Sequence, residues 1–229
     1  MCGRYTLISP AKTIAQQFQL LEIPSLSPRY NIAPSQPVAA VRQSPESGER
    51  ELTLFRWGLV PFWAKDSKIG SRMINARSET AAEKPAFRAA FKQRRCLVLA
   101  DGFYEWQRLA RGKQPFYIHL RGGQPFAIAG LWERWEGPDG LLESCTLLTT
   151  EPNDLLRPSH NRMPVILHPQ DYDLWLNPGI QERELLRPLF SPYPFESMRA
   201  YPIGSWVNNP RNDGAQCIEP VQIQKPLDM

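Results

Sequence analysis

The most apolar stretch of the chain is Cys96-Leu97-Val98-Leu99-Ala100-Asp101-Gly102-Phe103-Tyr104-Glu105-Trp106. Its apolar and aromatic runs, separated by a turn at Asp101-Gly102, predict two consecutive strands over residues 96–100 and 102–108. Side chains alternate in direction along a strand, so Phe103 and Glu105 should share one face. This stretch favours a fold dominated by β-strands.

Further elements are predicted on both sides of this stretch. Ser9 as N-cap and Pro10 as first helical residue predict a short helix that runs to about Leu20. The other predicted strands are 38–42, 51–57, 115–120, 125–132, 141–149 and 163–167. The other predicted helices are 78–93, broken at Pro85, 169–176 and 180–190. Residues 22–37 are predicted to be a loop, and 198–223 an irregular segment with short strands.

Together these elements predict an α+β fold. The expected architecture is a single domain over residues 1–229, in which mostly antiparallel strands form a curved or barrel-like sheet with peripheral helices. The chain has 229 residues, of which 42% are hydrophobic and 22% charged. These values are near those of globular proteins and exclude a disordered chain. The 23 prolines indicate short elements joined by stiff, ordered loops.

Composition also limits the function classes. No stretch approaches the ~20 apolar residues that cross a bilayer, and the N-terminus does not resemble a secretory signal. The four cysteines form no CxxC motif and lie far in sequence from the three histidines, so no metal site and no cofactor are expected. We expect a cytoplasmic monomer. The net charge of +4 permits a nucleic-acid partner without requiring one.

Cys2 carries the most specific chemistry. Methionine before a small second residue is usually removed, which would make Cys2 the N-terminal residue. Its α-amine, with a pKa of about 7.7–8.0, and its thiol, with a pKa of about 8.5, would then be nucleophiles on one residue. An aldehyde would form a Schiff base with the amine, and the thiol would close a thiazolidine ring. The alternative is an ordinary terminus at which the cysteine has no role.

Three other residues are candidates, each with an alternative. Glu105, in its apolar strand, would have a raised pKa suited to proton transfer, unless it faces solvent at a sheet edge. His160 is a proton shuttle or a loop histidine that bonds a nearby carbonyl. Asn75 orients a reacting group or caps the following helix, and Arg77 beside it could bind a phosphate. His119 and His168 are predicted to be structural.

These residues lie in a series of motifs that resembles the SOS-response-associated peptidase (SRAP) family, the abasic-site processing proteins. The motifs are Met1-Cys2-Gly3-Arg4-Tyr5, Tyr30-Asn31-Ile32-Ala33-Pro34, Trp57-Gly58-Leu59-Val60-Pro61, Asn75-Ala76-Arg77-Ser78-Glu79-Thr80, Asp101-Gly102-Phe103-Tyr104-Glu105-Trp106, Ala129-Gly130-Leu131-Trp132-Glu133 and His160-Asn161-Arg162-Met163-Pro164. They follow one another from residue 2 to about 167, and the series as a whole is specific.

The resemblance implies a DNA-repair function. Such a protein binds single-stranded DNA, or a single-strand/duplex junction, at an abasic site and forms a thiazolidine crosslink to it. Cys2 would be the nucleophile, Asn75 would position it, Glu105 would transfer protons, and His160 would act as acid or base, including in reversal. The candidate DNA contacts are Arg4, Arg77, Arg162 and Trp63, the last as a stacking wedge unless it is a core tryptophan.

Two other functions remain open on the sequence. The family's older name suggests a thiol hydrolase or peptidase that uses Cys2, with removal of Met1 as its signature. The second is a non-catalytic single-strand-binding module in which Cys2 has no role. Of the three functions, only crosslinking predicts a covalent product that forms with abasic DNA and not with intact DNA.

Overall fold

The computed structural model of the protein describes residues 2–110, 112–138 and 140–222. Its strands are β1 (Tyr5–Leu7), β2 (Arg29–Ile32), β3 (Pro37–Gln43), β4 (Arg50–Trp57), β5 (Asn75–Arg77), β6 (Arg95–Ala100), β7 (Gly102–Arg108), β8 (Lys113–Leu120), β9 (Phe126–Gly137), β10 (Gly140–Thr150), β11 (Met163–Pro164), β12 (Ile166–Leu167) and β13 (Met198–Pro202). Its α-helices are α1 (Ala11–Phe18), α2 (Ser78–Ala81), α3 (Arg88–Gln93), α4 (Tyr172–Leu176) and α5 (Arg183–Leu186). Its 3₁₀ turns are Ser67–Arg72, Pro169–Asp171, Arg187–Phe190, Phe195–Ser197, Ser205–Asn208 and Ala215–Ile218.

Five strands close into a barrel in the order β10-β4-β3-β6-β9, because β9 pairs with both β6 and β10. The neighbours are antiparallel except β4 and β10, whose parallel contact consists of the pairs Arg56–Ser144 and Trp57–Cys145. β5 extends the end of β10 in parallel, and β11 extends it antiparallel. The end of β10 is therefore flanked by the segments that carry Asn75 and follow His160.

The barrel core explains the apolar sequence of β6. All six residues of Arg95–Ala100 are buried, since this strand lies between its neighbours with helices packed against it. The indole of Trp175 in α4 donates a hydrogen bond to the Cys96 carbonyl (2.9 Å). On the neighbouring strand, a Cβ at Gly130 would lie 2.7 Å from the Cys96 sulfur. Glycine at this position permits the close approach of β6 and β9.

A second, antiparallel sheet has the order β13-β8-β7-β1-β2 and includes the N-terminal strand. β7 follows β6 after Asp101, whose carboxylate accepts hydrogen bonds from the Ile8 and Ser9 amides (2.5 and 2.9 Å). β1 pairs with β7 so that Tyr5 lies opposite Phe103. The same register, continued toward the N-terminus, brings the chain near Cys2 alongside Glu105.

The C-terminal segment is held against β1 and β2 by polar contacts. The buried amide of Asn31 donates to the carbonyls of Val207 (3.1 Å) and Asn212 (2.8 Å). The Asp213 carboxylate accepts a hydrogen bond from the main-chain N–H of Asn31 (3.0 Å) and pairs with the Arg29 guanidinium. The N-terminal strand is thereby fixed from the side opposite β7.

The predicted α+β class with a barrel-like, mostly antiparallel sheet is confirmed. The prediction of an uninterrupted loop over 22–37 is wrong, since β2 lies within it. The predicted N-cap is also wrong: Pro10 occupies that position and the Ser9 hydroxyl bonds Asp101 instead. Residues 163–167 form two short strands separated by Val165. Residue 223 of the predicted irregular segment lies outside the described residues, and one domain over 1–229 stays a prediction. In the described ranges, no helix has the length and apolarity needed to span a membrane.

Candidate active site

Cys2 and Asn75 lie together in the structure. Cys2 is fully buried, and the Asn75 side-chain amide donates a hydrogen bond to the Cys2 carbonyl (2.9 Å). Asn75 is positioned by the pairing of β5 with β10, where it lies opposite Leu147. Its Oδ1 atom is buried and has no hydrogen-bond partner among the described residues. The same amide can thus anchor the Cys2 main chain and accept a hydrogen bond from a reacting group.

The helix-capping alternative for Asn75 is wrong. Asn75 belongs to β5, and α2 begins at Ser78 with Arg77 at the N-cap position and no side-chain cap.

Glu105 is a buried carboxyl on β7, with 4% of its surface exposed. Burial raises the pKa of Glu105 to about 7, because the desolvated carboxylate loses its hydration. Near neutral pH the group exchanges a proton readily, as a general acid or base must. The alternative of a solvent-facing glutamate at a sheet edge is wrong.

The Cys2 thiol is influenced by Glu105. Burial, and secondly the negative charge of Glu105, raise the pKa of this thiol well above its ordinary value. The charge of the Glu105 carboxylate therefore acts on the Cys2 thiol. The thiol is therefore held in its neutral form, and the pairing of β1 with β7, continued toward the N-terminus, places the neighbouring Gly3 opposite Glu105.

His160 lies in the loop before β11 and is half-buried. Its Nδ1 atom accepts a hydrogen bond from the Arg162 amide (3.0 Å), so in the neutral ring the proton is on Nε2. Burial lowers the pKa of His160. The alternative of a ring that merely bonds a carbonyl does not describe this contact, because here the ring nitrogen accepts.

Arg162 lies next to His160 and is ion-paired. Its guanidinium donates to both carboxylate oxygens of Glu79 (2.7 and 2.8 Å) and also to the Thr149 carbonyl. Although partial burial opposes ionisation, the Arg162 hydrogen bonds hold the pKa of Glu79 below its ordinary value. Sequence reasoning missed Glu79 as a site residue, although it falls in the same motif as Asn75.

The other predicted DNA contacts lie in different surroundings. Arg4 donates to the Asn31 side chain (2.9 Å) and the Val207 carbonyl (3.0 Å), so it holds the C-terminal segment in place. Arg77 is exposed at the end of β5, two residues after Asn75. Trp63 is 49% exposed and its indole lies 3.5 Å from the Pro85 carbonyl. The alternative of a core tryptophan is wrong.

Two further histidines have contacts within the fold, and no metal-binding cluster is found in the described residues. His119 bonds the Leu120 carbonyl (2.8 Å), and His168 stacks on Tyr193 with ring centroids 4.6 Å apart. Within residues 2–110, 112–138 and 140–222, no group of three or more His, Cys, Asp or Glu side chains is placed to hold a metal ion. The geometry thus offers a buried cysteine, an amide, a carboxyl and an imidazole.

Comparison with known proteins gives consistent matches. The family described as SOS response associated peptidase (SRAP) matches residues 1–210. The chain is 45% identical over 224 residues to "Abasic site processing protein YoqW" of Bacillus subtilis, covering 96% of this chain and 99% of the relative. It is 33% identical over 249 residues to "Abasic site processing protein HMCES" of Gallus gallus, covering 93% and 72%. A crystal structure of a Bacteroides thetaiotaomicron protein has a TM-score of 0.85 at 26% identity, covering 96% and 100%.

Proposed function

Because the chain belongs to the SOS response associated peptidase (SRAP) family, we propose that it processes abasic sites in DNA by forming a covalent thiazolidine crosslink through Cys2. Relatives similar over most of the chain are named abasic site processing proteins. The observation that carries the proposal is the hydrogen bond by which Asn75 anchors the Cys2 main chain, at the end of the strand pairing that runs alongside the buried carboxyl of Glu105.

The first requirement is removal of Met1, a residue outside the described ones. Removal would convert the Cys2 nitrogen from an amide into a primary amine. The amine and the thiol would then be separated by two carbons, which is the spacing that a five-membered ring needs. Removal of Met1 by the protein itself is the peptidase activity that the family's name suggests, and it remains part of the proposal.

Crosslinking begins with the opening of the abasic deoxyribose. The closed sugar becomes an aldehyde when its C1′ hydroxyl loses a proton and its ring oxygen gains one. A carboxyl with a pKa of about 7 is present in both protonation states near neutral pH, so Glu105 can serve in both directions. The buried Asn75 Oδ1 can accept a hydrogen bond from the sugar hydroxyl.

The covalent steps balance with the loss of one water. The Cys2 amine attacks the aldehyde carbon to give a carbinolamine, which releases water with a proton supplied by Glu105 and leaves a Schiff base. The thiol sulfur then adds to the same carbon, and the thiol proton passes through Glu105 to the nitrogen. His160, held by its bond from Arg162, handles the proton that must return to nitrogen or sulfur in reversal.

DNA would be held by phosphate contacts and stacking. We assign Arg4, Arg77 and Arg162 to phosphates and Trp63 to stacking on bases. Single strands and single-strand/duplex junctions are the proposed substrates, because an aldehyde must reach a buried cysteine without a paired strand over it. Arg77 is the most accessible of these arginines.

The thiol hydrolase is the weaker alternative. A peptidase nucleophile must be a thiolate or be readily deprotonated, whereas burial raises the pKa of the Cys2 thiol. In ring closure the thiol attacks a Schiff base on its own residue. The short, fixed distance between the two groups makes this reaction fast even for a thiol that is a weak nucleophile.

The test is incubation of the purified protein with abasic and intact single-stranded oligonucleotides of equal length. The proposal predicts a heat-stable covalent band with the abasic strand alone, abolished in Cys2→Ala while noncovalent binding is kept. Cys2→Ala and Cys2→Ser both keep the α-amine of residue 2, so each should still give a Schiff base that is trapped only by a reductant. Equal crosslinking by Cys2→Ala would contradict the mechanism.

A further inference from the structure

Arg162 connects three parts of the site. Its guanidinium forms a two-bond fork with Glu79 in α2 and also bonds the Thr149 carbonyl at the end of β10. Its main-chain amide donates to Nδ1 of His160 (3.0 Å). The orientation of the imidazole therefore depends on where Arg162 lies, and the position of Arg162 depends on Glu79.

We propose that Glu79 is a positioning residue, which holds Arg162 and, through the Arg162 main chain, fixes the His160 ring. This inference rests on the proposed function of His160 in reversal of the crosslink. Glu79 is two residues beyond Arg77 and presents its carboxylate from the first turn of α2. It acts through Arg162 and does not itself meet the substrate.

Burial and charge explain why Arg162 needs this partner. The Arg162 side chain is 13% exposed, and its Nε atom is buried without a hydrogen-bond partner among the described residues. A guanidinium in such surroundings requires a countercharge, and a two-bond fork fixes its plane as well as its position. The Thr149 carbonyl supplies an acceptor without charge, so among the described residues Glu79 provides the neutralising charge for Arg162.

The chain offers a matched control in Glu83. This carboxylate lies four residues after Glu79 and pairs with Arg183 (3.0 Å). Arg183 also donates to the Glu79 main-chain carbonyl (2.7 Å), a contact that no side-chain substitution at Glu79 removes. Glu83→Gln therefore makes the same change of charge in the same region without touching the Arg162 fork.

The first readout is release of a preformed crosslink, measured in a chase with excess unlabelled abasic DNA. Glu79→Gln should slow release by about 3- to 10-fold. This is less than the roughly 10²-fold that a 1 Å misplacement can cost, because the Thr149 carbonyl still holds the Arg162 guanidinium. Affinity for a stable abasic analogue that lacks the aldehyde should not fall, since a negative charge near the DNA is removed. General damage to the fold would lower both the rate of release and the affinity for the analogue.

Combination with His160→Ala tests the route of the effect. If Glu79 acts through His160, release by the double variant should be no slower than by His160→Ala alone. Glu83→Gln should release like the wild type. Additive slowing in the double variant, or equal slowing by Glu83→Gln, would overturn the proposal.

The second readout does not depend on crosslinking. Histidine ring resonances of the free protein are titrated by NMR, with His119 and His168 as internal references. Glu79→Gln should lower the pKa of His160, because the Arg162 charge beside the ring, which already lowers this pKa, loses its neutralising partner. An unchanged His160 titration would overturn the positioning role. A wild type that forms no crosslink, with this shift present, would instead contradict the proposed function alone.

Discussion

Glu105 on β7 and Glu133 on β9 are both buried strand glutamates, with 4% and 3% of their surfaces exposed. Glu133 accepts a hydrogen bond from Arg94 (2.9 Å) and another from the Arg134 amide (3.0 Å). The charge of Glu105 acts on the Cys2 thiol, and burial raises the pKa of Glu105 to about 7. Equal burial thus accompanies two different chemistries, which the neighbouring groups determine.

The difference teaches how to distinguish a structural from a functional buried acid. The Glu133 carboxylate is held by the Arg94 guanidinium and the Arg134 amide, and it joins the end of α3 to the barrel. A carboxyl next to a nucleophile, with a pKa near the working pH, stores a proton that it can give or take. Both acids fall in the motifs that carry the family resemblance, so motif membership alone does not separate them.

The largest expected effect is on chemistry. Glu105→Gln keeps the shape of the side chain and loses its proton, so crosslink formation in single turnover should slow by about 10²–10⁴-fold. Glu133→Gln should leave the rate unchanged. Equal rates for the wild type and Glu105→Gln would remove the distinction between the two acids.

The second effect is on stability as a function of pH. The folded-state pKa of Glu105, about 7, exceeds its ordinary value of 4.5, so between these values the folded protein binds the proton that the unfolded chain has lost. The free energy of unfolding should therefore fall by about 3 kcal/mol as pH rises through this window.

Glu105→Gln should lack this contribution, and urea denaturation at a series of pH values compares the two proteins. A pH dependence that is the same in both would show that the carboxyl titrates normally in the folded state.

The third effect is on stability alone. Glu133→Gln leaves the half-buried Arg94 guanidinium without its countercharge, and the free energy of unfolding should fall by about 2 kcal/mol. Glu105→Gln should not destabilise the protein at pH 7, because it replaces a desolvated carboxyl with a neutral group. Denaturant titration of both variants at that pH makes the comparison. The opposite order of stabilities would reverse the two assignments.

The smallest effect concerns DNA affinity and extends the comparison to two arginines, Arg77 near Asn75 and Arg94 at Glu133. Arg77→Gln, on the Cys2 side, should reduce the slope of log affinity against log salt by about one. Arg94→Gln should leave the slope unchanged, since Arg94 is not among the proposed phosphate contacts. Fluorescence anisotropy with labelled single-stranded DNA measures the slope for both variants. Equal slopes for Arg77→Gln and Arg94→Gln would show that Arg77 does not contact a phosphate.

Much of this molecule could be predicted from its sequence. The barrel strands are apolar or alternating runs, so the local sequence pattern predicts where they lie. Cys2, Asn75, Glu105 and His160 were selected by their chemistry and by the motifs. In the structure Asn75 bonds Cys2, Glu105 acts electrostatically on Cys2, and His160 contacts Arg162.

Other features depend on partners far away in sequence. β2 lies in a segment with several prolines, and its conformation is stabilised by pairing with β1 and by Asp213, about 180 residues later. Glu79 and Arg162 form a fork across 83 residues of sequence, so no local pattern indicates it. The motif of Arg4 predicts a DNA contact, but no local pattern indicates its hydrogen bond to the Val207 carbonyl, about 200 residues later.

The intact mass of the covalent product tests the central claim most directly, namely that the amine and thiol of Cys2 both join the aldehyde carbon. The protein is incubated with an abasic oligonucleotide and the adduct is weighed without reduction. We expect the mass of the chain without Met1 plus that of the oligonucleotide, less one water. Because a Schiff base has the same mass, the denatured adduct is also alkylated: a thiazolidine leaves three of the four cysteines free to react, whereas a Schiff base leaves all four. Cys2→Ala should give no heat-stable adduct. An adduct that retains Met1, or one that forms equally with Cys2→Ala, would contradict the central claim.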